Sequence, residues 1–257
     1  MTFLFDQVIF GPIHSRRLGL SLGVNLLPVD AKICSFNCLY CECGFNTTIQ
    51  EFPFPTREQV SEILSQKLQQ MVAANEIPNV ITFAGNGEPT LHPEFEGIID
   101  DTIALRDLYC PTAKVSVLSN STRIHKPHIF SALNKVDNNI LKFDSAIDRT
   151  MKLIDQPVGK HINVSWLIEQ LCKFQGKLII QTMFIAGEIE GESFDNTTDI
   201  EIEAWLKAME LIKPSQIMIY SLDREAPVQN LRKIQLNELN AIAETARARG
   251  FNVSVAG

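Results

Sequence analysis

The chain has 257 residues, 45% of them hydrophobic, enough to bury one sizeable core without a second domain. A net charge of −7 and a pI near 5.3 argue against a general polyanion-binding surface, because affinity for nucleic acid rests on Lys and Arg neutralising phosphates. Met1 to Asp6 carries neither a basic segment nor a long apolar run, and nowhere do about 18 apolar residues run together, so the expectation is a cytoplasmic protein with no signal peptide and no membrane contact.

In chain order, Phe3 to Phe10 reads as a short strand that turns at Gly11-Pro12 into the polar segment His14 to Arg17. Arg16 and Arg17 are the densest positive charge before the cysteines, either a solvated pair or a clamp for a carboxylate or phosphate on a substrate. Leu20 to Leu27 is mostly apolar, ends at Pro28 and reads as the strand that delivers the chain to Cys34-Ser-Phe-Asn-Cys38-Leu-Tyr-Cys41. Thr56 with Gln59 forms a capping-box signature, and Val60, Ile63, Leu64, Leu68, Met71 and Val72 continue at helical spacing to about Ala74.

Val80 to Ala84 is then a strand, followed by Gly85-Asn-Gly-Glu-Pro89. Lys114 to Ser119, Asn139 to Asp144, Lys177 to Ala186, Ser215 to Ser221 and Asn252 to Ala256 read as further strands. Helices are expected over Val164 to Phe174 with Gly176 as the stop, after the Thr198/Glu201 box, and over Leu236 to Arg249 before Gly250. Gly187 to Asn196, glycine-containing and acidic, is expected to be a mobile loop at the mouth. Strands alternating with helices imply βαβ units and a parallel sheet. Six or seven strands are too few for an eight-fold barrel of ~250 residues, so an open, partial (β/α)6-type barrel is expected over 20–256, with residues 1–19 as an N-terminal strand extension of one domain.

Four of the six cysteines fall between 34 and 43, while Cys110 and Cys172 stand alone and read as small buried apolar residues, so the pattern is no disulfide framework. Thiolates are metal ligands, and three on a short loop can wrap one centre without a long closure. A four-iron cluster normally takes four cysteines, so a loop offering three leaves one iron for something that is not protein. Cys43 extends the run to C-x-x-x-C-x-x-C-x-C, which leaves open a zinc ion closed by four sulfurs in a non-enzymatic binding module, a spectator thiol, or a reactive thiol near a substrate.

Parallel α/β folds place their sites at the C-terminal ends of the strands. Gly85 to Glu88, Asn120, Asp144 and the Asp223-Arg224 pair all follow expected strands and should share that rim. Lys142 and Asp144, two apart, project to one face, as ligand-binding groups or as a buried ion pair. Tyr40 offers an aromatic face for an adenine ring, or packs the loop. His92 and His125 read as turn and surface residues.

The cysteine triad with Tyr40 in its penultimate place, followed by Gly85-Asn-Gly-Glu-Pro89, resembles the radical S-adenosylmethionine (SAM) superfamily, and the lead-in Gly11 to Asn25 resembles a subgroup related to wyosine-type tRNA-modifying enzymes. The resemblance implies a 4Fe-4S cluster on Cys34, Cys38 and Cys41, with SAM chelating the fourth iron and its amino group bound at Gly85, Gly87 and Glu88; Asn86 stands where glycine is commoner. Asn120, Lys142 and Asp144 would then serve the SAM ribose and carboxylate, with Arg16, Arg17, Asp223 and Arg224 toward substrate. It implies one-electron cleavage of SAM, hydrogen abstraction from a small metabolite or peptide, and an electron donor of flavodoxin or ferredoxin type. A tRNA substrate is the alternative, opposed by the net charge.

Overall fold

Short apolar segments, several buried on both faces like Val80–Phe83 and Ile179–Met183, can be stable only inside a sheet covered by helices. A computed structural model describes residues 3–15, 18–47, 53–224 and 226–256, and shows that sheet; Arg16 and Arg17 lie outside the described residues. In chain order the elements are β1 (Ile9–Ser15), β2 (Gly19–Val24), α1 (Arg57–Ala73), β3 (Val80–Phe83), α2 (Phe95–Tyr109), β4 (Lys114–Ser119), α3 (Pro127–Lys135) and β5 (Asn138–Lys142). There follow α4 (Asp148–Asp155), α5 (Val164–Cys172), β6 (Ile179–Met183), β7 (Ile185–Ile189), β8 (Glu192–Asp195), α6 (Asp199–Ile212), β9 (Gln216–Tyr220), β10 (Leu231–Lys233), α7 (Leu236–Ala248) and β11 (Val253–Ala256).

The main sheet has the order β1-β2-β3-β4-β5-β6-β9-β11. From β2 to β11 every neighbouring pair is parallel, and β1 adds antiparallel to β2 at one edge. Six strand-to-helix units precede the last strand, the partial (β/α)6 half-barrel with a strand extension that the sequence implies. The registers align the C-terminal ends: Val24 faces Phe83, Ser119 faces Leu141, Lys142 faces Gln181, and Met183 faces Tyr220, which faces Ala256. One rim therefore collects the loops that follow these strands.

The helix signals work as local chemistry requires. The capping box at Thr56 is formed in both directions, and α1 buries Val60, Leu64, Leu68 and Met71; Ile63 and Val72, expected in the same stripe, stay largely exposed. Thr198 caps α6, which buries Trp205, Leu206, Met209 and Ile212. Three departures from expectation have physical reasons. The first strand covers Ile9–Ser15 rather than Phe3 to Phe10, because Phe5 stacks on Phe10 at 3.8 Å between ring centroids and Phe3 meets Phe5 edge-on at 5.1 Å. Those rings form a cluster over the sheet edge instead of alternating in a ladder.

Gly187 to Asn196 is a hairpin and not a loop: β7 pairs with both β8 and β10 in a three-stranded antiparallel sheet. Its turn, Glu190-Gly191, has both φ angles positive (52° and 81°), the primed-turn backbone that suits strand twist. Asn196 ties the hairpin base to the rim, donating to the Asp144 and Met183 carbonyls at 2.9 and 2.8 Å and accepting from Ile185 N–H at 2.8 Å. Finally, Cys110 is buried, whereas Cys172 is half-exposed with its thiol toward the Leu211 carbonyl. No helix among the described residues is long and apolar enough to cross a membrane.

Candidate functional site

The cysteine loop is stapled to the rim from both sides. Ile33, just before Cys34, bridges to Gly87 in parallel fashion: Ile33 N–H donates to the Asn86 carbonyl (2.9 Å) and Glu88 N–H to the Ile33 carbonyl (3.1 Å). Gly87 has φ +138°, and a β-carbon there would lie 1.8 Å from the Ile33 oxygen, so only glycine permits this approach. On the other side Asn37 and Leu39 N–H donate to the Asp155 and Ile154 carbonyls, and Val158 N–H to the Ser35 carbonyl. Asn46 Nδ2 closes the loop onto the Cys34 and Phe36 carbonyls at 3.0 and 3.2 Å.

Asn86 is fully buried and explains its own presence. Its side chain accepts from Phe5 N–H and donates to the Phe5 and Pro28 carbonyls, all at 2.8 Å, which clamps the N-terminal segment against the glycine turn. Gly85 offers its carbonyl to the Cys43 thiol at 3.5 Å.

Cys34, Cys38 and Cys41 are all free; the Cys34 thiol feels the charge of Cys41, and the Cys38 thiol that of both Cys34 and Cys41. Burial pushes the Cys34 thiol up to about 12 and raises that of Cys38, the cost of forming an anion away from water. The Cys43 thiol, held protonated beside it, pulls Cys41 down to about 6. Lys32, 2% exposed, donates to the Gly44 carbonyl at 2.6 Å and adds a positive charge near Cys34 and Cys41. Asn120 Nδ2 points at the Cys34 sulfur at 3.3 Å. Among the described residues no three His, Cys, Asp or Glu side chains converge as on a single metal ion, and the Cys43 thiol stays beside Cys41 while reaching the Gly85 carbonyl.

Glu88 is 2% exposed and fully satisfied. One oxygen accepts from Thr90 N–H (3.1 Å), Thr90 Oγ1 (2.5 Å) and Ser119 Oγ (2.9 Å), the other from Asn120 N–H (2.6 Å). Burial raises its pKa despite those donors. Glu88 thus fixes Asn120, whose amide also bonds Ser35 Oγ and Thr122.

Lys142 and Asp144 form a buried ion pair, and Asp155 closes it from α4, 2.6 Å from the ammonium. The ammonium also meets the Tyr40 hydroxyl and lies 4.6 Å from the centre of that ring, while Tyr40 O–H donates to Asp144 at 2.5 Å. Met183 N–H occupies the other Asp144 oxygen at 3.0 Å. Burial raises Tyr40 strongly, and it raises Asp155, which must share one cation with Asp144.

Arg224 crosses from the loop after β9 to Glu42 in the cysteine loop at 2.7 Å, and with Asp223, Phe45, Leu222, Val228 and Lys233 it lines a hollow of about 780 Å³. His92 serves a turn, its ring bonded to the Pro55 carbonyl and Glu94 N–H, and His125 is exposed. Lys32, Ser35, Asp155 and Asn196 carry no local sequence signal, because each acts through a tertiary contact.

No family model matches the chain. It is 29% identical over 235 residues to a protein named GTPase Obg from Brachyspira hyodysenteriae, spanning 90% of this chain and 32% of that one. It is 33% identical over 189 residues to a UPF0026 protein of Helicobacter pylori, spanning 70% and 57%. The chain therefore covers from a third to little more than half of these curated relatives. None of its Gly-Lys pairs is followed by Ser or Thr, so it lacks the phosphate-binding loop of a GTPase.

Among solved structures, a radical SAM methyltransferase from Sphaerobacter thermophilus superposes with TM-score 0.68 at 13% identity, over 92% of this chain and 65% of that one. Streptococcus suis SuiB bound to S-adenosylmethionine gives 0.64 at 12%, over 88% and 49%. TYW1 with a lysine-pyruvate adduct gives 0.61 at 17%, over 89% and 73%. The fold is that of radical SAM enzymes.

Proposed function

We propose that the chain is a radical SAM enzyme working as a single domain, with residues 20–256 as its half-barrel and 1–19 as an edge extension. The observation that carries this reading is the cysteine loop itself: three free thiols on one short loop, pinned by Ile33–Gly87 to the rim of a half-barrel with the radical SAM fold. Cys34, Cys38 and Cys41 hold a 4Fe-4S cluster and leave one iron for SAM. The donor set fits, since Lys32 and the Asn120 amide offset the charge of three thiolates. When bound, the cluster supplies one electron that splits a carbon–sulfur bond of SAM into methionine and a 5′-deoxyadenosyl radical, which takes hydrogen from substrate.

The chain's own residues orient and seal. Gly85 and Gly87 form the wall against which the SAM amino group sits, and Glu88, its carboxylate spent on four donors, positions Asn120 beside Cys34. Lys142, Asp144 and Asp155 fix Tyr40 next to Cys41, so that its ring backs the adenine side while the ion pair excludes water. Asp223 and Arg224 face the substrate hollow, whose apolar walls and two cations suit a small anionic metabolite or an extended peptide segment. SuiB has likewise been seen with its precursor peptide SuiA.

Anaerobic reconstitution with iron and sulfide, reduction by dithionite and an assay for 5′-deoxyadenosine test the reading. Wild-type protein forms it and Cys34→Ser, Cys38→Ser and Cys41→Ser do not. A full cluster that leaves SAM intact overturns it.

A further inference from the structure

The three-stranded sheet at the rim has two edges, and the described residues cover only one of them. At β8 the cover comes from α4, where Arg149 reaches the Ser193 carbonyl at 3.4 Å and the Glu192 carboxylate at 3.0 Å. At β10 the ladder itself shows what stays open. Glu188 N–H donates to the Asn230 carbonyl and Leu231 stands opposite Gly187, so the positions bonded to β7 are Asn230 and Arg232. The N–H and C=O groups of Leu231 and Lys233 therefore face away from β7, and no described residue pairs with them there.

Leu231 and Lys233 line the hollow of about 780 Å³, whose other walls are Phe45 of the cysteine loop and residues of the loop after β9, Pro227 and Val228 among them. Leu222, Asp223 and Arg224 also line a recess of about 70 Å³ that runs on to Tyr40, Met183 and Tyr220. The two cavities share a wall, so a chain lying along β10 has a neighbouring position from which one side chain enters the recess beside Tyr40. Outward N–H and C=O groups repeating every second residue, about 7 Å apart, match another peptide backbone. Leu231, half-buried and apolar, and Lys233, an exposed cation in no ion pair with a described residue, share one face of the strand, while Arg232 on the other face is held by Asp195 and Glu238. An added strand thus meets an apolar site and a cationic site two positions apart. With only three residues, walled in by two loops, β10 suits a single extended segment better than the sheet edge of a second copy.

We propose that the substrate is a polypeptide, held as an added strand along β10 so that one of its residues enters the recess at Tyr40. The inference rests on the function proposed above and narrows its substrate class, since a small metabolite makes no use of the row of free main-chain groups. Backbone pairing supplies the hold, and an apolar residue over Leu231 with an acidic one over Lys233 sets the register.

The test offers the reconstituted protein a library of capped, dye-labelled octapeptides in which single positions are fixed in turn, with binding read by fluorescence anisotropy. The proposal expects binders that carry an apolar and an acidic residue two positions apart, and slower hydrogen exchange at the Leu231 and Lys233 amides once a binder is present, with no change at Arg232, which already pairs with β7. N-methylation of the binder at a residue whose N–H faces β10 lowers affinity at least about tenfold, and the same change one residue along does not; the protein is untouched in this comparison. Lys233→Pro, which removes an outward N–H, weakens binding likewise, and continued protection of the Arg232 amide shows that the variant is folded. The proposal is overturned if no peptide binds, if binding ignores both N-methylation and Lys233→Pro, or if Leu231 and Lys233 become protected with rising protein concentration and no peptide, the sign of edge pairing between two copies. A protein that binds peptides this way yet forms no 5′-deoxyadenosine with dithionite upholds the docking and fails the functional reading; one that forms 5′-deoxyadenosine and binds no peptide fails the docking alone.

Discussion

Replacing Gly87 with alanine sets a β-carbon 1.8 Å from the Ile33 carbonyl oxygen, far inside contact distance, and against backbone that has no rotamer to escape into. The bridge must open, so the Ile33 N–H and Glu88 N–H bonds at 2.9 and 3.1 Å are lost together. Two such bonds are worth about 1 kcal/mol each, and a side chain held at φ +138° adds about 1–3, for a total of roughly 3–5 kcal/mol. At about 2–4 °C per kcal/mol for a chain of this size, Tm falls by roughly 6–20 °C. Gly250→Ala is the control, because Gly250 also has positive φ (89°) but nothing within 4 Å of an added carbon, and it costs only about 1–2 kcal/mol. Thermal and urea unfolding give the stabilities, and hydrogen exchange at Ile33 and Glu88 reports whether the bridge opened. If Gly87→Ala is no less stable than Gly250→Ala, or leaves both amides protected, the stapling argument is wrong.

Lys142→Met leaves Asp144 and Asp155 buried without their cation and should cost about 3–5 kcal/mol by urea denaturation; adding Asp155→Asn should recover part of it, and no recovery would deny that the two carboxylates share one charge. Glu201, buried against Ser145, has its pKa raised by burial, so its favourable contribution is present below the carboxylate's unfolded value and lost as pH rises through the folded one. Glu201→Gln should therefore flatten the fall in Tm above about pH 4.5, and an unchanged profile would refute that assignment. Asn120→Ala removes the N–H aimed at the Cys34 sulfur, and the reduction potential of the reconstituted centre should drop, since hydrogen bonds to the sulfurs favour the reduced form; an unaltered potential argues that the amide serves only Ser35 and Thr122.

What could be read from the sequence was whatever local chemistry dictates. Thr56 and Gln59 announce their capping box, and Val80 to Phe83 and Gln216 to Tyr220 announce strands, because caps and short apolar runs between turns depend on near neighbours. The triad and the glycine turn were legible for the same reason. The physical role of the turn was not: Gly87 makes room for Ile33, 54 positions earlier in the chain, and Asn86 looks anomalous until Phe5 is seen in its grip. Glu88, Asn120 and Lys142 each present a charge or amide that the sequence aims at a ligand, and tertiary contact commits them first to Ser119, Cys34 and Asp155. The hairpin at Glu190-Gly191 was obscured by its acidic composition, although the turn chemistry was present.

The central claim is that three sulfurs hold a four-iron cluster with one iron left open. Mössbauer spectra of the reconstituted protein, taken with and without SAM, address it directly. The account predicts a four-iron centre in which a single iron changes its signature when SAM is added, in wild type and in Cys43→Ser alike, and loss of the centre in Cys41→Ser. A spectrum indifferent to SAM, or a centre that disappears when Cys43 is replaced, would contradict it.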